Sequence, residues 1–405
     1  MSFSLMPNGI YEDEQYYWFP EMQFNAFYRV DKETRVPELL FHFPNEALET
    51  ERLYTQPVKV GDWFVFSPIS AKSLFLYNVL TGEQKNIPLK PVSETKKIEY
   101  IEGLKFSVPV VRGDIVYFFP LTYPAILKLD LNTMKVYYLT TWVKQLEKQI
   151  VQHQSTQTIL YFNGRYLNDV DSRKVLFTCG GSAVVFEFDF NLETGIVHNL
   201  QGDVAVFQRI IYDGSNYWLT PSIGNLLTKW NKETGEITTF PIIDQWNHPW
   251  PIVGVSFKYN EGIYMLTTKD SHCYRLNLKE ERIEQLGFLE PVIQQEKTDQ
   301  VIYYTYDIFS NMVEKEHLCF VSARDFRWYT INLETEEVTS FALEVDESAQ
   351  SIISDQIAPY KYECIARGIS EFVNFLDERI SKEHIVVKRS DTIGDTILEA
   401  TTTSK

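Results

Sequence analysis

The stretch WNKETGEITTFPI, Trp230–Ile242, decides how the rest of this chain is read. It holds an aromatic residue, an Asn, a Thr-Gly pair, a β-branched run and a Pro. Asn231 can cap its own turn by accepting main-chain N–H groups. A Gly or a tolerant residue then takes the positive φ, and the flanks alternate as hairpin strands do. The pattern recurs as VDKETRVPELLFHF at Asp31, YNVLTGEQKNIPL at Asn78, KLDLNTMKVYYLT at Asp130 and FNLETGIVHNL at Asn191. It returns as RLNLKEERIEQLGF at Asn277 and TINLETEEVTSFAL at Asn332. Seven copies, about 40–60 residues apart, mark a repeat architecture.

Ahead of each copy lies a turn and an aromatic-rich strand that ends in a small residue or Pro. Examples are EDEQYYWFP (12–20), VGDWFVFSP (60–68), RGDIVYFFP (112–120) and DGSNYWLTP (213–221). A further strand precedes most of these, as in QPVKV and FQRIIY. Four antiparallel strands per repeat is the composition of a propeller blade. The fold expected is therefore all-β: a seven-bladed β-propeller of four-stranded antiparallel blades over residues 1–346, with a helical insertion and a C-terminal helix. The insertion, at about 141–158, carries Trp142, Leu146 and Ile150 at helical spacing. A C-terminal extension over 347–384 holds a helix at about 360–381, with Ile365, Ile369, Val373, Phe375 and Leu376 on one stripe. The polar tail 385–405 has no core of its own and is expected to be mobile.

Composition narrows the function. The net charge of −17 opposes binding to phosphate backbones, so neither a nucleic acid nor an anionic membrane is the expected partner. No apolar run approaches the ~18 residues that a membrane helix needs. MSFSLMPNGIYEDEQ lacks the basic and apolar regions of a secretory signal, so the expected location is the cytoplasm. The four Cys residues show no CxxC spacing, which suggests neither a zinc site nor a disulfide framework. There is no GxxxxGK[ST] motif, and CGGSA (179–183) reads as a tight turn rather than a phosphate cradle.

With blade strands lettered A to D in chain order, the A–B and C–D turns share one face. The B–C loops and D–A connections share the other, and that face is where binding residues are expected. Its most distinctive loop is DQWNHPWPI (244–252), with Trp246, His248 and Trp250. The next B–C loop, TKDSHCY, offers Asp270 and His272, and the last, SARDFRW, offers Arg324 and Asp325. Rigid Trp rings give contact area at low entropy cost, and His and Arg orient a polar ligand. The bland alternative is that Trp246 and Trp250 plug the channel mouth while both prolines stiffen the loop. Earlier B–C loops supply Glu21, Lys72, Tyr123 and Asn225. His42 and His198 read as ordinary strand positions.

One blade carries a family resemblance. DGSNYWLTPSIGNLLTKWNKETGEITTFPI (213–242) resembles a blade of the streptogramin B lyase-like (virginiamycin B lyase-like) propellers. The match covers Asp213, Gly214, Trp218, Thr220, Asn225, Asn231, Thr234, Gly235, Glu236, Phe240 and Pro241, and it decays in the other blades. The resemblance implies a seven-bladed ring. It also implies a metal-assisted elimination in which a His base and a Mg²⁺ open a cyclic depsipeptide. His248 and His272 are the residues that this reading would use. The nearest carboxylates are Asp244 and Asp270, and no Glu–His pair accompanies the two histidines. No catalytic constellation or metal site is evident from the residues alone. The leading expectation is thus a non-catalytic, cofactor-free scaffold that binds a protein or peptide partner through its B–C/D–A face. The alternatives are a Mg²⁺-dependent lyase or hydrolase and a small-ligand sensor.

Overall fold

The computed structural model describes residues 5–90, 104–151, 161–162, 166–168, 173–180, 182–200, 206–222, 224–243, 252–267, 273–286, 311–314, 317–321, 327–343 and 345. The chain divides into two units, Met1–Val345 and Asp346–Lys405. The helix expected at 360–381 and the tail 385–405 belong to the second unit and lie outside the described residues.

The repeat is built on a local hydrogen-bond pattern. In Asn231, the side-chain oxygen accepts from Glu233 N–H and Thr234 N–H, both at 3.0 Å, and Gly235 N–H returns to the Asn231 carbonyl at 2.8 Å. The residue four positions after the cap has φ > 0 in all seven copies: Arg35, Gly82, Met134, Glu193, Gly235, Glu281 and Glu336. Only two of these are Gly, so the turn is held by its cap and not by glycine alone. The fourth copy corrects the sequence reading. Its cap is Asp189, which accepts from Asn191 N–H at 2.9 Å and Leu192 N–H at 3.1 Å, and not Asn191 itself. The Thr-Gly pair that suggested Asn191 lies inside a strand. A Cβ on Gly195 would stand 2.2 Å from the Phe186 ring, so this glycine is needed for close packing and not for a turn.

Each turn joins the last two strands of a four-stranded blade. Blade one is β1 (Tyr11–Glu12), β2 (Tyr16–Pro20), β3 (Phe27–Asp31) and β4 (Pro37–Phe41). Blade two is β5 (Val58–Val60), β6 (Trp63–Phe66), β7 (Ser73–Asn78) and β8 (Gln84–Pro88). Blade three is β9 (Val110–Arg112), β10 (Ile115–Phe118), β11 (Ile126–Asp130) and β12 (Lys135–Leu139), followed by the helix α1 (Val143–Val151). Blade four is β13 (Tyr166–Asn168), β14 (Lys174–Thr178), β15 (Val184–Asp189) and β16 (Thr194–Asn199). Blade five is β17 (Phe207–Tyr212), β18 (Tyr217–Pro221), β19 (Leu226–Trp230) and β20 (Ile237–Pro241). Blade six is β21 (Val253–Tyr259), β22 (Gly262–Thr267), β23 (Cys273–Asn277) and β24 (Arg282–Leu286). Blade seven is β25 (Asn311–Glu314), β26 (His317–Val321), β27 (Arg327–Asn332) and β28 (Val338–Ala342).

Within every sheet the strands pair in chain order, so each blade is one contiguous stretch and none borrows a strand from the far end of the ring. The fold is a seven-bladed β-propeller. The first strands of neighbouring blades lie against each other, as β5 does on β9 and β17 on both β13 and β21, which places them nearest the axis. The fourth strands are the most exposed and form the rim.

The core lies between blades. Trp18, Phe27 and Phe43 of blade one meet Phe64, Phe66 and Phe75 of blade two. Val65 and Leu76 meet Val116 and Leu127, and the pattern continues through blades five and six, where Trp218 meets Ile263 and Met265. In five blades the residue after the cap reaches back into the preceding blade: Val79, Leu131, Phe190, Leu278 and Leu333 all enter these apolar clusters. The seam that closes the ring pairs Trp328 with Tyr17 and Phe19, at ring centroid separations of 5.1 and 6.0 Å. Arg35 also stacks over Phe341 there, at 4.2 Å. Helix α1 turns Leu146 and Ile150 into the cluster between blades three and four, where Trp142 packs beside them. Its Gln149 accepts from Asn199 on the outer strand β16 at 3.2 Å.

Candidate functional site

Two kinds of connection close the ends of the blades, and they differ in length. One face carries the short capped turns, such as Asp31–Pro37 and Asn277–Arg282. The other carries the B–C loops and the long D–A connections 42–57, 89–109, 140–165 and 287–310.

On that second face the connections interlock. Arg52 N–H, on the connection into blade two, donates to Met22 of the first B–C loop at 2.8 Å. Lys105 N–H does the same to Ile69 at 3.0 Å, and Tyr161 N–H to Leu121 at 2.6 Å. Nearer the axis, small polar side chains stitch three of the seams: blade one to two, two to three, and four to five. Asn8 donates to Tyr54 O at 2.7 Å, Ser67 to Ser107 O at 2.8 Å, and Thr178 to Gln208 O at 2.8 Å. This face is therefore a rigid base for whatever the loops carry.

The base positions the predicted loops as follows. Asn225 clamps the start of the stretch after blade five: its side chain donates to Ile243 O at 2.6 Å, and its carbonyl accepts from Ile242 N–H at 2.8 Å. Asn25 plays the same part in blade one, donating to Phe43 O and Glu46 O at 2.9 and 3.0 Å. The chain re-enters at Ile252 and Val253, which are buried with Ile242 in one cluster. Trp246, His248 and Trp250 lie between these anchors, together with Asp244, and all four lie outside the described residues. Asp270 and His272, between β22 and β23, also lie outside them, as do Arg324 and Asp325, between β26 and β27. Their supports are described. Cys273 opens β23 fully buried, and burial pushes its thiol up to about 12, so it is an inert packing residue and no nucleophile. Arg327 opens β27 and donates to Ser340 from two guanidinium nitrogens, at 3.1 and 3.2 Å.

Three titratable residues escaped the sequence reading or were read too plainly. Glu21, at the end of β2, is buried to 1% exposure, and its hydrogen-bond partners among the described residues are all uncharged. Its carboxylate accepts from Met6 N–H and Phe24 N–H, each at 3.0 Å, and from the main chain and side chain of Gln23. Burial pushes the carboxyl up to about 7, and the donors restrain it from rising further. Glu187 on β15 is the opposite case. It is as deeply buried, but it meets Lys174 at 2.5 Å, His198 at 3.2 Å and Lys232 of the next blade. Burial raises its carboxyl, but the three partners outweigh this and hold it well below the carboxylate range. His198, expected to be an ordinary strand residue, is thus part of an inter-blade cluster and also packs on Trp230 at 5.2 Å. The signal for both was a lone Glu within an apolar strand or strand end, YYWFPE and VVFEFD.

Among the described residues, no group of three or more His, Cys, Asp or Glu side chains is arranged to hold a metal ion. No described helix is long and apolar enough to cross a membrane.

No protein-family model and no curated protein matches the chain. Solved structures do. A streptogramin B lyase structure is 14% identical, with a TM-score of 0.52 over 79% of this chain and 93% of that one. A virginiamycin B lyase from Staphylococcus aureus is 11% identical, with a TM-score of 0.53 over 80% of this chain and 95% of the other. A chain of the mitotic checkpoint complex is 8% identical, with a TM-score of 0.51 over 84% and 89%. At these identities the likeness is one of fold, and the chain resembles the streptogramin B lyases as a seven-bladed propeller of the same architecture.

Proposed function

We propose that this propeller is a non-catalytic scaffold that binds a protein or peptide partner through its B–C/D–A face, without a cofactor. The observation that carries this reading is the asymmetry of the two faces. One is closed by seven short turns, each capped by its own Asp or Asn side chain. On the other, the described connections of blades one to five are hydrogen-bonded from blade to blade. Irregular loops on a rigid base suit recognition of an extended surface. Trp246 and Trp250 are the proposed anchors, since large aromatics dominate interface energetics, and His248, Asp270, His272, Arg324 and Asp325 would supply its polar contacts.

The test compares two double substitutions as affinity baits. Trp246→Ala with Trp250→Ala should lose the partners captured by the native protein, by tenfold or more in recovery. Leu80→Asp with Leu192→Asp alters two exposed turn residues on the opposite face and should keep them. Equal recovery by both baits would refute the assignment of the face.

A further inference from the structure

Six of the seven seams join blades that are consecutive in the chain. The seventh, between blade seven and blade one, has no covalent connection and is held by side-chain packing and hydrogen bonds. Leu5 N–H donates to Leu343 O at 3.0 Å across this seam. One residue further on, Met6 N–H donates to Glu21 Oε1 at 3.0 Å, and Met6 O accepts from Met22 N–H at 2.8 Å. Pro7 then bridges Glu21 in antiparallel register. The matching position in blades two, three and five is a proline: Pro68 opposite Tyr54, Pro120 opposite Phe106, and Pro221 opposite Phe207. A proline there offers no side-chain acceptor. Blade one alone among these four substitutes a carboxyl, and it does so where the incoming strand lacks the covalent tether that the other three possess.

We propose that Glu21 is a protonation-dependent latch on the seam that closes the ring. Its two oxygens fasten the segment beginning at Leu5 to the B–C loop of blade one, and the same segment carries the bond to blade seven. Among the described residues, none of the groups that hydrogen-bond to the Glu21 carboxyl carries a charge. The strand segment Pro7–Asn8 and the loop Met22–Asn25 hold no ionisable side chain. From the D–A connection, Arg52 contributes its main-chain N–H to Met22 and Glu46 its main-chain carbonyl to Asn25; Glu49 and Glu51 on that connection are acidic like Glu21. His42 meets the Asn25 carbonyl at 2.6 Å. The four bonds to Glu21 all come from Met6, Gln23 and Phe24.

The sign follows from linkage. Burial raises the carboxyl above its ordinary 4.5 to about 7 while the latch is closed. Once the segment lifts and water reaches the carboxyl, the ordinary value returns. The closed form therefore holds its proton more tightly, and its advantage is complete below the ordinary value and declines as pH rises to neutrality. Above that, the carboxyl gives its proton to solvent and a charge held by uncharged donors is left inside. Opening of the segment should become more frequent by on the order of a hundredfold across this interval. This inference is independent of the partner proposed above.

The experiment is hydrogen exchange of the full chain, followed by mass spectrometry at about pH 5 and about pH 8 and corrected for the intrinsic rate. Protection of the peptide 5–12 should fall by ten- to a hundredfold at the higher pH. Peptide 207–212, the tethered equivalent in blade five, should keep its protection. In Glu21→Gln the step in peptide 5–12 should vanish. Parallel behaviour of the two peptides in the native protein would overturn the proposal, as would an unchanged step in Glu21→Gln. The internal comparison decides the matter even if that variant does not fold.

Discussion

Asp213 carries three hydrogen bonds on two oxygens: Ser215 N–H and Asn216 N–H at 2.7 Å, and the Trp218 indole at 2.6 Å. Asp13 repeats the arrangement with Gln15, Tyr16 and Trp18. One side chain thus closes the A–B turn and fixes the rotamer of a buried aromatic on the next strand. Burial raises the Asp213 carboxyl, but the three donors outweigh it and hold it below 3.8. A depressed carboxyl stabilises above its ordinary value, and that stability is lost as pH falls through the folded value. Asp213→Asn should therefore cost about 2 kcal/mol at neutral pH, measured by urea unfolding, and the difference should shrink as pH falls below 3.8. At the capped turns the expected signs are opposite for two substitutions. Gly235→Ala places a side chain at φ 75° and should cost about 1 kcal/mol, whereas Glu336→Gly relieves a φ of 60° and should gain about as much. Equal and same-signed shifts in the unfolding midpoint would contradict the turn geometry. These turns were legible in the sequence because cap, donors and left-handed residue fall within five positions. The fourth cap was misread because the role of Gly195 is set by the Phe186 ring across the sheet, which no local pattern reveals.

At the level of the blade, alternation and turn spacing made the hairpins readable, but what joins neighbouring blades was not. The residue after each cap is apolar in five blades and enters the preceding blade as a core residue. In blade five it is Lys232, and blade four answers with Glu187 in place of an apolar socket. The two lie in different repeats and only the ring brings them together. This ion cluster gives the blade four–five seam a chemistry that Val79, Leu131 or Leu278 cannot match, since an apolar knob there would strand a buried carboxylate. Glu187→Gln leaves Lys174 and Lys232 without their anion and should cost about 2–3 kcal/mol. A double-mutant cycle with Lys232→Met should show a coupling of about 1–3 kcal/mol. Additive effects would mean that the pair touches without contributing to the seam.

Across the ring, the packing that holds the blades together is separate from the face proposed for recognition. Cores run from blade to blade around the ring, and every blade is covered by its two neighbours, so the seams hold the fold. The number of blades was legible because a repeat announces itself seven times. The proposed recognition surface was legible only as a face, because its candidate residues sit on three non-repeating stretches, 244–252, 268–274 and 322–328, that no spacing rule links. Hydrogen exchange of the protein alone and in complex with a captured partner would map that surface directly. New protection should fall on the loops at 20–26, 67–72, 244–252, 268–272 and 322–326, and the capped turns at 31–36, 78–83, 231–236 and 332–337 should exchange as before. Protection confined to the capped turns would place the partner on the opposite face and refute the proposed function.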